Sequence, residues 1–305
     1  MVARIDGRLC YNLTGSLNYF EKKEATMGED FTEDGLYVEA HGPQHAPVIL
    51  FLHGGGAGAW SWQPVIERLG EFRCLAPDLP EHGRSAALKP FSITDAARRM
   101  AELIRSRVPG GRAHVVGLSE GAQVAVAMLA SAPEVMTTAL ISSALLHPLP
   151  GSRMLTEGLI RWSFRLSVPP FRKNDAWIRL NMKYAAGVPE AFFPQFKGDF
   201  QAMTEDGFTH VLLENQRYRL PHGLAAADLP VLALAGRKEY TAMRASAAEL
   251  GQALPRATVR LIDLGEGDSL AQEHNWCLTA PQRFAESVRA WVNQQPLPDY
   301  LRPLP

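Results

Sequence analysis

The stretch Val115-Val116-Gly117-Leu118-Ser119-Glu120-Gly121 constrains this chain more than any other. An apolar run that reads as a buried strand stops at a glycine. A serine follows one residue later, then a second glycine, and a helix-like run continues from Ala122 to Ala132. The pattern is G-x-S-x-G in a strand–turn–helix setting. A fold that accommodates it must let the strand and the next helix cross closely, and Gly117 and Gly121 lack the side chains that would collide there. The serine then stands at the tip of a tight turn. The helix after it aims its first N–H groups and its dipole at that tip, where negative charge is favoured.

The rest of the chain repeats the strand–helix alternation. Leu36 to Ala40 is a short strand, and Val48 to Leu52 is the continuous apolar run of a central parallel strand. Phe72 to Ala76 is another strand, ending in the turn Asp78-Leu79-Pro80-Glu81-His82-Gly83. Thr94 to Val108 has helical periodicity, with Ala97, Met100, Ala101, Ile104 and Val108 on one side. Ala113 to Gly117, Thr138 to Leu146, Val231 to Ala235 and Thr258 to Leu264 read as further strands. Pro281 to Asn293 reads as a closing helix capped by Thr279. The alternation predicts α/β architecture, a three-layer sandwich around a mostly parallel sheet.

Residues 148–228 break this rhythm. They are rich in Trp, Phe, Arg and Met, and helical patterns cover Met154 to Leu166, Ala176 to Ala185 and Ala202 to Gln216. The expected organisation is therefore an N-terminal extension over 1–32, a core over 33–147 and 229–295, and an inserted helical cap over 148–228. The cap would lie above the carboxyl ends of the strands, where ligands of open α/β sheets bind. Its aromatics Trp162, Phe164, Trp177, Phe192, Phe193 and Phe196 either line a pocket or form the cap's own small core. The pocket candidates are Trp60, Trp162, Trp177, Phe193 and Trp276. In the extension, Met27 offers an internal start, whereas Leu17, Tyr19 and Phe20 offer an anchor onto the body; the sequence does not choose between them.

Several function classes lack support. The formal net charge of -1 gives no field that selects nucleic acid or an anionic membrane. Cys10, Cys74 and Cys277 have no metal spacing and suggest no disulfide framework. No apolar stretch is long enough to span a bilayer, and the N-terminus lacks the layout of a signal peptide, so the cytoplasm is the expected compartment. The run His53-Gly54-Gly55-Gly56-Ala57-Gly58 is glycine-rich but lacks the Lys-Ser/Thr of a P-loop and the spacing of a dinucleotide fingerprint. No cofactor and no metal are expected. The expected partner is a small ester-type molecule, and the candidate assembly is a homodimer.

Four motifs together resemble the α/β-hydrolase superfamily: His53-Gly54-Gly55-Gly56, Asp78 to Ser85, Gly117 to Gly121, and His274-Asn275-Trp276. The resemblance runs from Leu36 to Asn293 and implies that fold, with a serine esterase- or lipase-like activity. It casts Ser119 as the nucleophile and His274 as its base, a free hydroxyl being a poor nucleophile without one. It gives His53 and His82 structural roles; His41, His45, His114, His147, His210 and His222 lie elsewhere. The oxyanion donors are the N–H of Glu120 and, from the glycine turn, that of Gly55. The acid departs from the family pattern, because Gly236-Arg237-Lys238-Glu239 places Glu239 where an aspartate is usual. Glutamate can hold the imidazole tautomer and stabilise the imidazolium; Asp263 and Asp268 are alternatives. Glu120 either pairs with a cation such as Arg84, faces the pocket and disfavours anionic substrates, or is a solvated helix-start acid. The expected activity is cleavage of a small, mainly apolar carboxylic ester or lactone. Carbon–carbon or thioester hydrolysis, acyl transfer, and a non-catalytic receptor are the alternatives. Serine at the nucleophile position argues against epoxide hydrolase and haloalkane dehalogenase chemistry.

Overall fold

Buried apolar runs build the middle of the sheet, and less regular strands build its edges. The computed structural model describes residues 30–149, 151–265 and 269–304. In chain order the described strands are β1 (Phe31–Glu33), β2 (Leu36–His41), β3 (Val48–Leu52), β4 (Arg73–Pro77), β5 (Ala113–Leu118), β6 (Met136–Ser142), β7 (Val231–Gly236), β8 (Ala257–Ile262) and β9 (Leu301–Pro303). They lie in the order β1-β2-β4-β3-β5-β6-β7-β8-β9. Strands β4, β3, β5, β6, β7 and β8 pair in parallel. Strand β2 joins β4 antiparallel, β1 joins β2 antiparallel, and β9 joins β8 antiparallel. Every residue of β3 and β7 is buried, as expected of parallel strands covered on both faces.

The two faces feed two separate cores, because successive side chains of a strand point to opposite sides. Leu50 and Leu52 pack with Val115, Met100, Ile104, Val124 and Leu129. Their neighbours Ile49 and Phe51 pack with Val116, Trp62, Trp276 and Phe284. The first face is covered by α2 (Ile93–Arg107), α3 (Glu120–Ser131) and α8 (Thr241–Ala253). The second is covered by α1 (Gln63–Ile66), α10 (Trp276–Thr279) and α11 (Pro281–Val292). There an aromatic chain links Phe51 to Trp62 (centroids 5.1 Å apart), Trp62 to Phe284 (5.2 Å) and Phe284 to Trp276 (4.3 Å). Deleting one such ring typically costs about 3–5 kcal/mol.

Between β6 and β7 the described elements are helical: α4 (Glu157–Ser167), α5 (Asp175–Asn181), α6 (Phe193–Ala202) and α7 (Glu205–Arg217). Thr156, Asn174 and Thr204 each accept a backbone N–H at their helix start. The Thr204 cap explains why the pattern from Ala202 to Gln216 is not one helix: α6 ends at Ala202 and α7 starts at Glu205. Hydrogen bonds dock the insert on the body, among them those through Asn215, Glu214 and His210. Gln123 and Asn215 exchange hydrogen bonds. Glu214 accepts the N–H of Ile93 at 2.9 Å, and His210 meets Glu81 at 2.8 Å.

Two sequence expectations need correction. Thr279 does not cap the closing helix; its hydroxyl donates to the carbonyl of Gln272, and α11 begins directly at Pro281, a residue whose ring presets the helical φ. The helix α8 and the edge strand β9 carried no motif and went unread. Phe31 and Thr32 belong to β1, which pairs with β2, so the sheet begins inside the expected extension. Leu17, Tyr19, Phe20 and Met27 lie outside the described residues.

Candidate active site

Ser119 sits between β5 and α3 with φ 56° and ψ -113°, a conformation that costs a non-glycine residue roughly 1–3 kcal/mol. The surroundings fix it. Its N–H donates to the carbonyl of Ser142 at 2.9 Å, and its carbonyl accepts from Gln123 at 3.1 Å. A Cβ on Gly117 would stand 2.4 Å from the Gly121 carbonyl oxygen, and one on Gly121 would stand 2.1 Å from that of Leu52. Backbone replaces side chain at both positions, which is how the turn closes.

His274 ends the short helix α9 (Leu270–His274), which Ser269 opens with a capping box to Gln272. Its Nδ1 lies 2.6 Å from Oε1 of Glu239, which is buried in the loop after β7. The other oxygen of Glu239 accepts the N–H of Gly236 at 2.7 Å. The extra methylene of glutamate is thus absorbed by a carboxylate that folds back on its own turn. Asp263 lies elsewhere, against Arg237 at 3.4 Å and Arg302 at 3.2 Å. Asp268 lies outside the described residues. Beside the pair is a feature the sequence did not suggest: Glu273 is buried and accepts the N–H of Lys238 at 2.6 Å. Burial, with the charge of Glu239 adding to it, raises the Glu273 pKa.

The glycine turn after β3 is stitched to the loop after β4. His53 accepts the N–H of Leu79 on Nε2 at 2.9 Å and faces the Gly54 carbonyl with Nδ1. His82 accepts the N–H of Gly56 on Nε2 and faces the Pro80 carbonyl with Nδ1. Burial lowers the pKa of His53 to about 4 and that of His82 to about 3. Both rings are neutral braces at ordinary pH. Asp78 completes the frame by accepting the N–H groups of Ala59 at 2.7 Å and Arg84 at 2.8 Å.

Ser119, His274, Gly55 and Glu120 line one cavity of about 630 Å³ beneath the helical insert. Of the aromatics expected to line it, Trp60 does. The others are placed apart from it. Trp162 is 60% exposed on the outer face of α4. Trp177 stacks on Phe171 at 4.4 Å and donates to the Ser167 carbonyl. Phe193 packs under the Arg179 guanidinium. Trp276 is fully buried and donates to the Ser142 hydroxyl at 3.0 Å. The insert contributes Phe196, one of the six cap aromatics the sequence offers for a pocket, together with Phe200, Phe208, Val211 and Asp199. Asp199 bears no motif; its only mark in the sequence is an acid within the aromatic run from Phe192 to Phe200.

Glu120 pairs with no cation. Arg84 instead covers the ring of Tyr37 and bonds its hydroxyl. The Glu120 carboxyl is fully buried, and neither oxygen has a hydrogen-bond partner among the described residues. Nε2 of the neutral His82 lies 3.6 Å from its Oε1. Burial raises its pKa well above the usual carboxylate range, with Glu214 contributing. The solvated helix-start reading therefore fails.

A strained serine between strand and helix, an imidazole held by a buried carboxylate, and a glycine turn facing one cavity are the features of a hydrolase site built on an α/β sheet. The chain belongs to the alpha/beta hydrolase family, whose model matches residues 49–287. It is 27% identical over 290 residues to an AB hydrolase superfamily protein of Gibberella zeae, covering 92% of each chain. A shorter match, 41% identical over 93 residues, is to an esterase of Mycobacterium tuberculosis and spans 30% of each chain. Among solved structures, the enol-lactonase from Burkholderia xenovorans LB400 superposes with a TM-score of 0.67 at 18% identity, covering 87% of this chain and 100% of that one.

Proposed function

We propose that this chain is a serine hydrolase that cleaves a small, mainly apolar carboxylic ester or lactone through an acyl-enzyme on Ser119. The observation that carries the reading is the 2.6 Å contact between His274 Nδ1 and a buried Glu239, with His274 and Ser119 lining one cavity. Glu239 holds the proton on Nδ1, which leaves Nε2 as the base. In the proposed reaction, His274 takes the Ser119 proton as Oγ attacks the acyl carbon. The N–H groups of Gly55 and Glu120 bind the tetrahedral oxyanion. The imidazolium then protonates the leaving alcohol. Water, deprotonated by the same imidazole, attacks the acyl-enzyme, and the acid leaves as Ser119 recovers its proton. Removing one oxyanion donor from such a site typically costs about 3 kcal/mol of transition-state stabilisation.

The names of the esterase and enol-lactonase relatives support the ester or lactone bond. On the same reading, residues 148–228 act as a cap that sets substrate size, because Phe196, Phe200 and Phe208 bring apolar walls to the cavity. The described cysteines, Cys74 and Cys277, are buried and free, which suits the cytoplasm. A fluorophosphonate probe is expected to modify Ser119 with one-to-one stoichiometry and to leave Ser119→Ala unlabelled. Labelling of another residue with Ser119 untouched would sink the proposal.

A further inference from the structure

The cavity wall carries three carboxyl groups, Glu81, Glu120 and Asp199, and among the described residues no lysine or arginine. Each carboxyl has a different status. Glu81 takes the Phe91 N–H at 2.7 Å and the His210 imidazole at 2.8 Å on one oxygen, Oε2, so an ionisable partner already faces it. Glu120 is fully buried and bonded to nothing among the described residues. The groups around it, Gly55, His82 and Val211, are walls of the same cavity. Asp199 is held from one side only. The Trp60 indole N–H donates to its Oδ2 at 2.7 Å, and its Oδ1 takes no hydrogen bond among the described residues. Asp199 retains some solvent exposure, so a ligand in the cavity can reach it.

We infer that Asp199, set in place by Trp60, is the recognition site for a primary ammonium group on the substrate, so that the enzyme's substrates are amine-bearing esters. This rests on the serine-hydrolase reading and adds the chemical class. An indole N–H orients a carboxylate but does not neutralise it, and a half-buried carboxylate in a cavity without cations lacks a counter-charge. Burial raises the Asp199 pKa only to about 6, so the group is ionised at pH 8. An ammonium brings the missing charge and N–H donors for the free oxygen. A carboxylate-bearing substrate would face the Asp199 charge with no lysine or arginine among the described residues of the cavity wall to offset the repulsion. The unbonded Glu120, next to the nucleophile, is a second buried polar group on the cavity wall that awaits a polar partner.

Two ester series at pH 8 test this. On the acyl side they are 4-nitrophenyl 6-aminohexanoate, 4-nitrophenyl heptanoate and mono-4-nitrophenyl adipate. On the alcohol side, 6-aminohexyl butyrate is compared with heptyl butyrate. In one series the amine ester is expected to exceed its neutral counterpart by about tenfold or more in kcat/KM, and the adipate to be the poorest ester. Asp199→Asn keeps an oxygen for the Trp60 N–H and removes the charge. Its amine-to-neutral ratio should fall toward one. The ratio compares two esters on one protein, so a loss of folded material cancels. Equal rates for amine and neutral esters in both series, or an unchanged ratio in Asp199→Asn, overturn the inference. Calorimetric titration of Ser119→Ala with hexylammonium and with hexanoate separates this from a failure of the serine-hydrolase reading. If no ester is turned over in a Ser119-dependent way, the reading of the reaction falls. The ammonium site then stands only if hexylammonium binds, hexanoate does not, and adding Asp199→Asn weakens binding about tenfold; otherwise it falls too.

Discussion

Burial raises the pKa of the Glu120 carboxyl well above its ordinary value, so folding favours its protonated form. An unfolded chain releases that proton near pH 4.5, whereas burial holds it in the folded protein to higher pH. Between those two values the folded state binds the extra proton, so this group's contribution to stability falls as pH rises. The neutral histidines act in the opposite sense. His53 and His82 are uncharged when folded and protonate in the unfolded chain, so their contribution grows as pH rises toward about 6.5. Glu120→Gln removes the first effect and leaves the second. The variant is expected to melt higher than the parent at pH 7.5, with the gap closing near pH 4.5. A gap that does not depend on pH would mean that Glu120 is not held protonated. A second expectation concerns Glu239. Its amide cannot stabilise an imidazolium and can select the wrong tautomer, so Glu239→Gln is expected to lower kcat by orders of magnitude with the fold intact. Asp263, whose carboxylate among the described residues meets Arg237 and Arg302, should tolerate Asp263→Asn with a mild effect in the same assay. The reverse ranking would remove Glu239 from its proposed role.

Elements differ in how visibly the sequence announces them. The serine turn was legible because G-x-S-x-G demands strand, turn and helix at fixed offsets, and β5 and α3 arrive where the motif requires. The buried strands were legible from unbroken apolar runs, and β3 matches Val48 to Leu52 residue for residue. The cavity wall was not. Helical periodicity identifies an apolar face but not what the face packs against. Trp162 and Phe208 are both aromatics of the insert, yet one faces solvent and the other the cavity. The distinction arises from how α4 and α7 meet, where Arg161 and Arg165 of α4 reach Glu205 of α7. Asp199 was hidden for the same reason, since its partner Trp60 is 139 residues away in sequence. Phe208→Ala is therefore expected to change the preferred acyl length in a 4-nitrophenyl ester series, while Trp162→Ala leaves the preference unchanged. Identical profiles for the two variants would argue that the insert does not set substrate size. At the hinge between α6 and α7, Thr204→Ala removes the side-chain cap on the Gly207 N–H and should cost about 1 kcal/mol in denaturant unfolding.

The whole molecule places its chemistry where several loops meet. Ser119 follows β5, Glu239 follows β7, and His274 follows β8, while the glycine turn follows β3; all lie beyond the carboxyl ends of parallel strands. No described helix is long and apolar enough to cross a membrane. These loops are close in space but far apart along the chain, and synthesis meets them in order. Strands β3, β4, β5 and β6 and the strained serine turn are complete in the first half of the sequence. The imidazole appears roughly 150 residues after the serine, which at typical elongation rates of ~5–20 residues per second is on the order of ten seconds or more. During that interval the nascent chain carries Ser119 without His274, its proposed base, and a sheet still lacking β7, β8 and β9. On the proposed roles the protein is thus built as an unarmed scaffold, and its reactive centre is assembled only when the closing strands bring the last loops home.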